Sequence, residues 1–283
     1  MNNHMQGEAI LREETNERLA SLEAGLRTLG SVCVACSAGV DSSFLLDAAH
    51  RVLGSQAMAV TVLGSMVPEH DAEEARAFCR DRGIRLVTVE ADEYSVPAFA
   101  CNAPDRCYHC KKNIFSRIAR IAAENGMTAV VEGSNADDLG DWRPGMKALA
   151  ELGIRSPMLD CGLTKDDIRS LSRHFGVAAW DKPAGACLAT RVPFGTPLSP
   201  ALLRLIDRAE SVLAEQGYRG GRVRVHDSLA RIELPVGQLG AALAEPARGE
   251  LVHAMRALGF QHVCLDLEGY VKGSMSRELD HLP

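Results

Sequence analysis

The sequence predicts an α/β protein in which a parallel sheet carries helices on both faces and a smaller α+β unit follows. Three observations lead there. Short apolar runs alternate with helical patterns as far as Asp181, Pro and Gly cluster between Lys182 and Pro200, and two short alternating strands then precede a further helix and strand. Strands covered on both faces read as continuous apolar runs, and helices between them supply the crossovers that parallel pairing needs. The change in texture puts a junction near residue 183 and divides the chain into domains 1–183 and 184–283.

The first thirty residues, rich in Glu, Arg, Leu and Ala, read as a helix ending near Gly30. A strand at Val32 to Cys36, a helix from Asp41 to Leu53 and a strand at Ala57 to Leu63 come next. A helix from Pro68 to Arg82, a strand at Ile84 to Val89, a helix from about Cys107 to Asn125 and a strand at Thr128 to Glu132 repeat the scheme. Segment 164–176 opens Thr-Lys-Asp-Asp, a capped start that predicts the closing helix of the first domain. Beyond the junction, Ser199 to Gln216 has the apolar spacing of a strongly amphipathic helix. Strands at Arg222 to His226 and Ala230 to Leu234, a helix near Glu245 to Leu258 and a strand at His262 to Leu267 complete the smaller unit.

A chain of 283 residues, 46% of them apolar, is long enough for two packed units. Its formal net charge of −6 supplies no global field for a polyanion, so nucleic acid is not expected as a partner. No apolar run approaches the roughly 18 to 20 residues that cross a bilayer, and no basic stretch leads into an apolar one at the amino terminus; a cytoplasmic protein without a membrane partner is expected. Nine cysteines, an odd number, spread from Cys33 to Cys264, point to reduced thiols rather than a disulfide framework. Cys33, Cys36 and Cys264 fall in apolar runs that read as buried strands, and the offset of three sends Cys33 and Cys36 to opposite faces.

The most informative segment is Ser37-Ala38-Gly39-Val40-Asp41-Ser42-Ser43, between the first sheet strand and its helix. In an open parallel sheet, ligands gather at the carboxyl ends of the strands. A helix amino terminus there offers unpaired N–H groups and the positive end of its dipole, and Ser37, Ser42 and Ser43 add hydroxyls. Such a loop suits a phosphate. No P-loop lysine is present, which excludes a Walker-type site, and Asp41 is placed to hold Mg²⁺ against a leaving pyrophosphate. Ala38 fits the turn provided its backbone stays at negative φ. The stretch from Glu132 to Gly145, with Gly133, Asp137, Asp138, Asp141 and Arg143, also follows a strand and should face the same edge; its crowded carboxylates call for a positive partner, with Asp137 the first candidate.

Cys107-Tyr108-His109-Cys110-Lys111-Lys112 opens a helix, where the dipole and the adjacent lysines favour thiolate. A lone CxxC leaves structural zinc, a redox pair and an iron–sulfur half-site open. Cys187 lies in the junction beside Arg191, as a third cluster ligand or a nucleophile that Arg191 activates. Arg222 and Arg224, offset by two, share a strand face with Arg231 near them; paired guanidiniums grip a phosphate or carboxylate, and a solvated basic face is the competing reading.

Ser37 to Ser42 resembles the SGGxDS signature of PP-loop ATP pyrophosphatases, with Ala38 in place of the first glycine of the pair. Through most of its length the chain resembles the LarE family of ATP-dependent sulfur transferases. The likeness runs through Arg106 to Lys112, Gly133 to Asp138, Ala186 to Gly195, Val223 to His226, Leu265 to Tyr270 and Gly273 to Met275. The resemblance implies a PP-loop fold and a pyridinium biscarboxylic acid mononucleotide whose carboxylate attacks ATP to give an acyl adenylate and pyrophosphate. Cys187 then displaces AMP as a thioester, for a nickel-pincer nucleotide cofactor. It implies ATP contacts from Ala35, Ser37, Gly39, Val40, Asp41, Ser42, Ser43, Leu63, Gly133 and Asp137, and substrate-phosphate contacts from Arg191, Arg222 and Arg224. In some members the cysteine gives up its own sulfur and becomes dehydroalanine, whereas members with three such cysteines carry a [4Fe–4S] cluster that holds a transferable sulfide, and Cys107, Cys110 and Cys187 favour the cluster form here. The resemblance also implies Mg²⁺ at Asp41, a small-molecule nucleotide substrate and a homo-oligomer. A PP-loop enzyme acting on another acceptor such as tRNA, and a non-catalytic nucleotide-binding protein with structural zinc, are the alternatives.

Overall fold

A computed structural model describes residues 11–139, 144–183, 185–275 and 277. Asp141 and Arg143 of the acidic loop, and Ala184, lie outside these. The chain divides into two compact units, one of residues 1–63, 70–91 and 111–182, the other of 64–69, 92–110 and 183–283.

The first unit begins with α1 (Glu13–Leu29), which stops at Gly30, whose φ of 75° ends the helix where a side chain would be strained. Next come β1 (Val32–Ala35), α2 (Val40–Leu53), β2 (Ala57–Leu63), α3 (Glu69–Arg82) and β3 (Arg85–Glu90). The short α4 (Pro97–Ala100) belongs to the second unit, α5 (Arg106–Glu124) passes from one unit into the other, and β4 (Ala129–Val131) returns to the sheet. Then follow α6 (Pro144–Glu151), α7 (Pro157–Asp160) and α8 (Lys165–His174). The four strands lie in the order β3-β2-β1-β4, all parallel, with Val32 opposite both Ala57 and Ala129.

Burial explains the apolar runs. On one face Leu22, Leu26, Phe44, Leu45, Ile168 and Leu171 of α1, α2 and α8 pack with Val32, Val34 and Cys36; on the other Phe115, Ile118 and Leu149 of α5 and α6 pack with Cys33, Met58 and Val60. Cys33 and Cys36 thus enter opposite cores, and burial pushes the Cys33 thiol up to about 12. Each large side chain removed from water contributes about 1.5–3 kcal/mol. The strand order reverses at β1: the chain walks to β2 and β3 on one side, then returns to β4 on the other. Crevices in open sheets form at such a reversal, outside the carboxyl ends. The loops after β1 and β4 are therefore the two placed to meet a ligand.

The second unit contains α9 (Pro200–Glu215), β5 (Arg222–His226), β6 (Leu229–Glu233), α10 (Leu239–Leu243), α11 (Ala247–Ala257) and β7 (His262–Leu265). Ser199 caps α9 through its hydroxyl, which accepts from Leu202 N. β5 pairs antiparallel with β6, and β6 parallel with β7. Leu203, Ile206 and Leu213 of α9 are buried, as are Val223, Val225, Ile232 and Met255. Cys264 corrects the sequence reading. It lies on the edge strand β7 opposite Arg231 and is exposed, because an edge strand four residues long is not covered on both faces. No helix among the described residues is long and apolar enough to cross a membrane.

Candidate functional site

In the first unit the loop after β1 places Ser37 at the surface and turns at Ala38 before Gly39 starts α2. Ser42 ties the loop together, its hydroxyl accepting from Ser37 N at 3.1 Å, meeting Ser37 Oγ at 3.1 Å and donating to Gly39 O at 3.3 Å. Val40 and Ser43 are buried under the turn. No side chain caps α2, so its first N–H groups remain available to an anion. Ala35 and Leu63 end β1 and β2, at the same carboxyl edge.

Ala38 departs from the expected backbone: its φ is 55°, not negative, and the residue is 4% exposed. A left-handed residue with a Cβ costs roughly 1–2 kcal/mol, so the surrounding structure has to hold this turn in place. Two lysines that the local sequence did not flag arrive here. Lys165 of α8 pairs with Asp41 Oδ2, while Asp41 Oδ1 is buried without a hydrogen-bond partner among the described residues. Lys182 donates to Ala38 O at 3.2 Å and to Asp71 Oδ1 at 2.6 Å, and also bonds Glu74.

The loop after β4 comes against the same helix end. A Cβ on Gly133 would lie 3.0 Å from Ser42 N and 3.2 Å from Asp41 Cβ, so a hydrogen is what lets the two loops close. Glu132 is buried and accepts from Ser134 N, Ser134 Oγ and Ser156 Oγ. Asp138 and Asn135 form a capping box, and Asp137 Oδ2 accepts from Lys165 N at 2.8 Å. Asp137 thus anchors the start of α8 and thereby the lysine that meets Asp41. Asp41 Oδ1, as an orphaned carboxylate oxygen, is the atom in this loop suited to Mg²⁺.

The second unit assembles the thiols. Cys107 and Cys110 stand on the first turn of α5, and Cys187 on the loop that precedes Leu188. Met66 O accepts from Leu188 N at 2.9 Å and Met66 Sδ lies 3.7 Å from Cys110 Sγ, so strip 64–69 joins both thiol segments. Ser65 gives its N–H and hydroxyl to buried Glu93 and bonds the Tyr94 hydroxyl at 2.8 Å. The expected thiolate at Cys110 is corrected. Burial, reinforced by the charges of Cys187 and Cys107, pushes it up to about 12, and the helix end does not outweigh that. Cys187 is half-buried as a residue, but its sulfur is enclosed; burial pushes it up to about 11 against a hydrogen bond from Ala189 and the charges of Arg106 and Arg191. Among the described residues no group of three His, Cys, Asp or Glu side chains is placed to hold a metal ion, although Cys107, Cys110 and Cys187 are near enough for their charges to act on one another.

Arg191, Arg222 and Arg224 are buried, which removes the solvated-face reading for the β5 pair, while Arg231 is partly exposed. Arg191 grips Glu210 through Nε at 2.8 Å and Nη2 at 3.0 Å, and its Nη1 donates to Ala186 O, Cys187 O and Thr190 Oγ1. Arg224 holds Glu233 at 2.9 and 2.7 Å and donates to Thr190 O. The Cys187 turn is thus clamped by two guanidiniums, each fixed by a glutamate. Arg222 lies 3.8 Å from Glu210 and 5.5 Å from the Tyr270 ring, and burial lowers its pKa although Glu210 opposes the shift. Arg106, 4% exposed, stacks 4.5 Å from the Phe194 ring with a buried Nη1 that has no hydrogen-bond partner among the described residues.

Comparison with known proteins finds relatives over nearly the whole chain. An uncharacterised protein of Synechocystis is 38% identical over 93% of this chain and 98% of its own. A pyridinium-3,5-bisthiocarboxylic acid mononucleotide synthase of Lactiplantibacillus plantarum is 35% identical over 92% of this chain and 94% of its own. The chain belongs to the LarE family. A glutamine-hydrolysing GMP synthase chain of Archaeoglobus fulgidus, 23% identical over 66% of this chain and 65% of its own, shares the PP-loop α/β fold. No family-level sequence model matches.

For this LarE-family chain, sequence reasoning missed Lys165, Lys182, Glu210 and Glu233. Lys165 and Asp41 are 124 positions apart, and Lys182 and Ala38 are 144 apart. Only the sheet topology brings such residues together, although the capped start at Thr164 did mark where Lys165 would stand.

Proposed function

We propose that the protein is a cytoplasmic enzyme that converts a carboxylate of a pyridinium biscarboxylate mononucleotide to a thiocarboxylate at the expense of ATP. Its strongest support is the uncapped start of α2 with Asp41 and Lys165 beside it, in a chain of the LarE family.

The substrate carboxylate attacks the α-phosphorus of ATP and pyrophosphate leaves, giving an acyl adenylate. Ser37, the amides of Gly39 to Ser42 and Lys165 hold the departing anion, Ala35 and Leu63 border the nucleotide, and Gly133 keeps the crevice open. Asp41 Oδ1 would hold Mg²⁺, which would supply charge neutralisation for the phosphates. Cys187 sulfur, deprotonated, then attacks the acyl carbon; the bond to AMP breaks and a thioester forms. Loss of the Cys187 Cα proton expels the thiocarboxylate from Cβ and leaves dehydroalanine, so sulfur comes from the chain itself. Arg191 and Arg224 hold the Cys187 turn still during transfer, and Arg222, whose guanidinium is buried on the same strand as Arg224, receives the substrate phosphate. Arg106 offers a buried positive charge near sulfur as negative charge develops there. A homo-oligomer completes the reading.

The test supplies ATP and the mononucleotide. AMP and pyrophosphate should appear, and the polypeptide should lose the mass of one H₂S. ADP and phosphate would refute the reading. Iron with acid-labile sulfide and an unchanged mass over repeated turnovers would replace self-sacrifice with a cluster on Cys107, Cys110 and Cys187, and zinc would favour a structural site.

A further inference from the structure

We infer that Lys182 is the positioning residue of the phosphate loop, its ammonium pinning the Ala38 carbonyl so that the Gly39 amide turns toward the phosphates of ATP. The inference rests on the reading of this loop as the ATP site.

In a trans peptide the C=O and the next N–H point in opposite directions. Fixing the Ala38 oxygen on Lys182 Nζ at 3.2 Å therefore turns Gly39 N–H to the other side of the loop. Ala38 needs such a restraint, since its φ of 55° is one a glycine adopts freely and an alanine does not. Lys182 is suited to supply it because both of its ends are held. Its backbone carbonyl accepts from Arg169 Nη2 of α8 at 2.8 Å, and its ammonium is seated between Asp71 and Glu74 of α3, with the side chain 19% exposed. Burial alone would lower its pKa, but the bonds to Asp71 and Glu74 raise it, so the donor remains charged. Two helices thus present one cation to one loop carbonyl.

A positioning role differs from a charge role in what rescues it. Lys182→Met removes the pin, and Ala38→Gly removes the need for one. ATP affinity measured by calorimetry on the wild type, both single variants and the double variant forms a complete cycle. Lys182→Met should weaken ATP roughly tenfold or more, and adding Ala38→Gly should recover most of that loss. Unchanged affinity in Lys182→Met, with or without a lower Tm, would overturn the inference, and so would a loss that Ala38→Gly leaves uncorrected. If Lys182→Met does not fold, Lys182→Arg is the second variant. Its planar fork cannot keep both acids and the carbonyl in the same geometry, and affinity equal to wild type would again overturn the inference. A wild type that binds no ATP would overturn the underlying reading, a result distinct from any difference among variants.

Discussion

Asp41 and Lys165, 124 positions apart, form an ion pair at the amino end of α2. The lysine takes one carboxylate oxygen and leaves the other buried and, among the described residues, without a hydrogen bond. Removing the ammonium strands both oxygens next to an incoming polyphosphate. Lys165→Met should therefore slow pyrophosphate release by about a hundredfold or more, the usual loss when a preorganised charge is removed from a developing anion. Release at the wild-type rate would show that Lys165 only steadies Asp41.

Gly133 makes a sharper steric prediction. A methyl group there would lie 3.0 Å from Ser42 N and 3.2 Å from Asp41 Cβ, closer than atoms settle without movement. Gly133→Ala should push the loop after β4 off α2 and raise the Kd for ATP by about tenfold, at a stability cost of about 1–3 kcal/mol. Nucleotide titration and thermal melting check the two parts separately.

Cys187 divides the reaction into halves. Cys187→Ala should still form AMP and pyrophosphate from ATP and the mononucleotide, yet transfer no sulfur and keep its full mass. Thiocarboxylate formed by this variant would move the sulfur to Cys107 or Cys110.

Arg191 and Glu210 form a buried bidentate pair under the Cys187 turn. Glu210→Gln leaves a buried guanidinium without its charge partner, a change that costs about 3–5 kcal/mol. The urea midpoint should fall accordingly, with sulfur transfer lost before adenylation. Arg191→Lys should fall between wild type and that variant, since an ammonium cannot make the paired bonds.

Asp167 sets an acid limit on stability. Burial disfavours its charge, but hydrogen bonds from Thr15, Thr164 and Arg18 outweigh that and hold the carboxyl well below the usual range. Because the folded pKa lies below the unfolded value of about 3.9, the contribution is complete above that value and is lost as pH falls through the folded one. Asp167→Asn should lower the urea midpoint at about pH 7, and its deficit should shrink toward about pH 3. A constant deficit would place the effect in packing instead.

The sheet and the phosphate loop were legible because their signals are local. Val32 to Cys36 is apolar on both faces, Gly30 stops a helix, and Ser37 to Ser43 follows one strand directly. The charge partners were not legible. Nothing near Asp41 in sequence names Lys165, and nothing near Arg224 announces that Glu233, diagonal to it across the hairpin, would hold it until the register is known. Arg222 and Arg224 were correctly placed on one face, yet period two says which side a residue takes, not whether that side is wet. Cys110 shows the same limit: the helix end and neighbouring lysines are visible in sequence, while the desolvation that outweighs them is not. Ala38 shows it for the backbone, since residue type gives a preference for φ and the fold decides the value.

The second unit draws residues 64–69 and 92–110 out of the middle of the first. Excising everything up to residue 183 as a free-standing nucleotide binder would deprive the Met66 carbonyl of the Leu188 N–H and Asn102 of the Val192 and Pro193 carbonyls that it holds. Such a truncation should clump when expressed, and grafting the carboxyl-terminal hundred residues onto another nucleotide-binding half would transplant the nucleophile without the two ribbons that seat it.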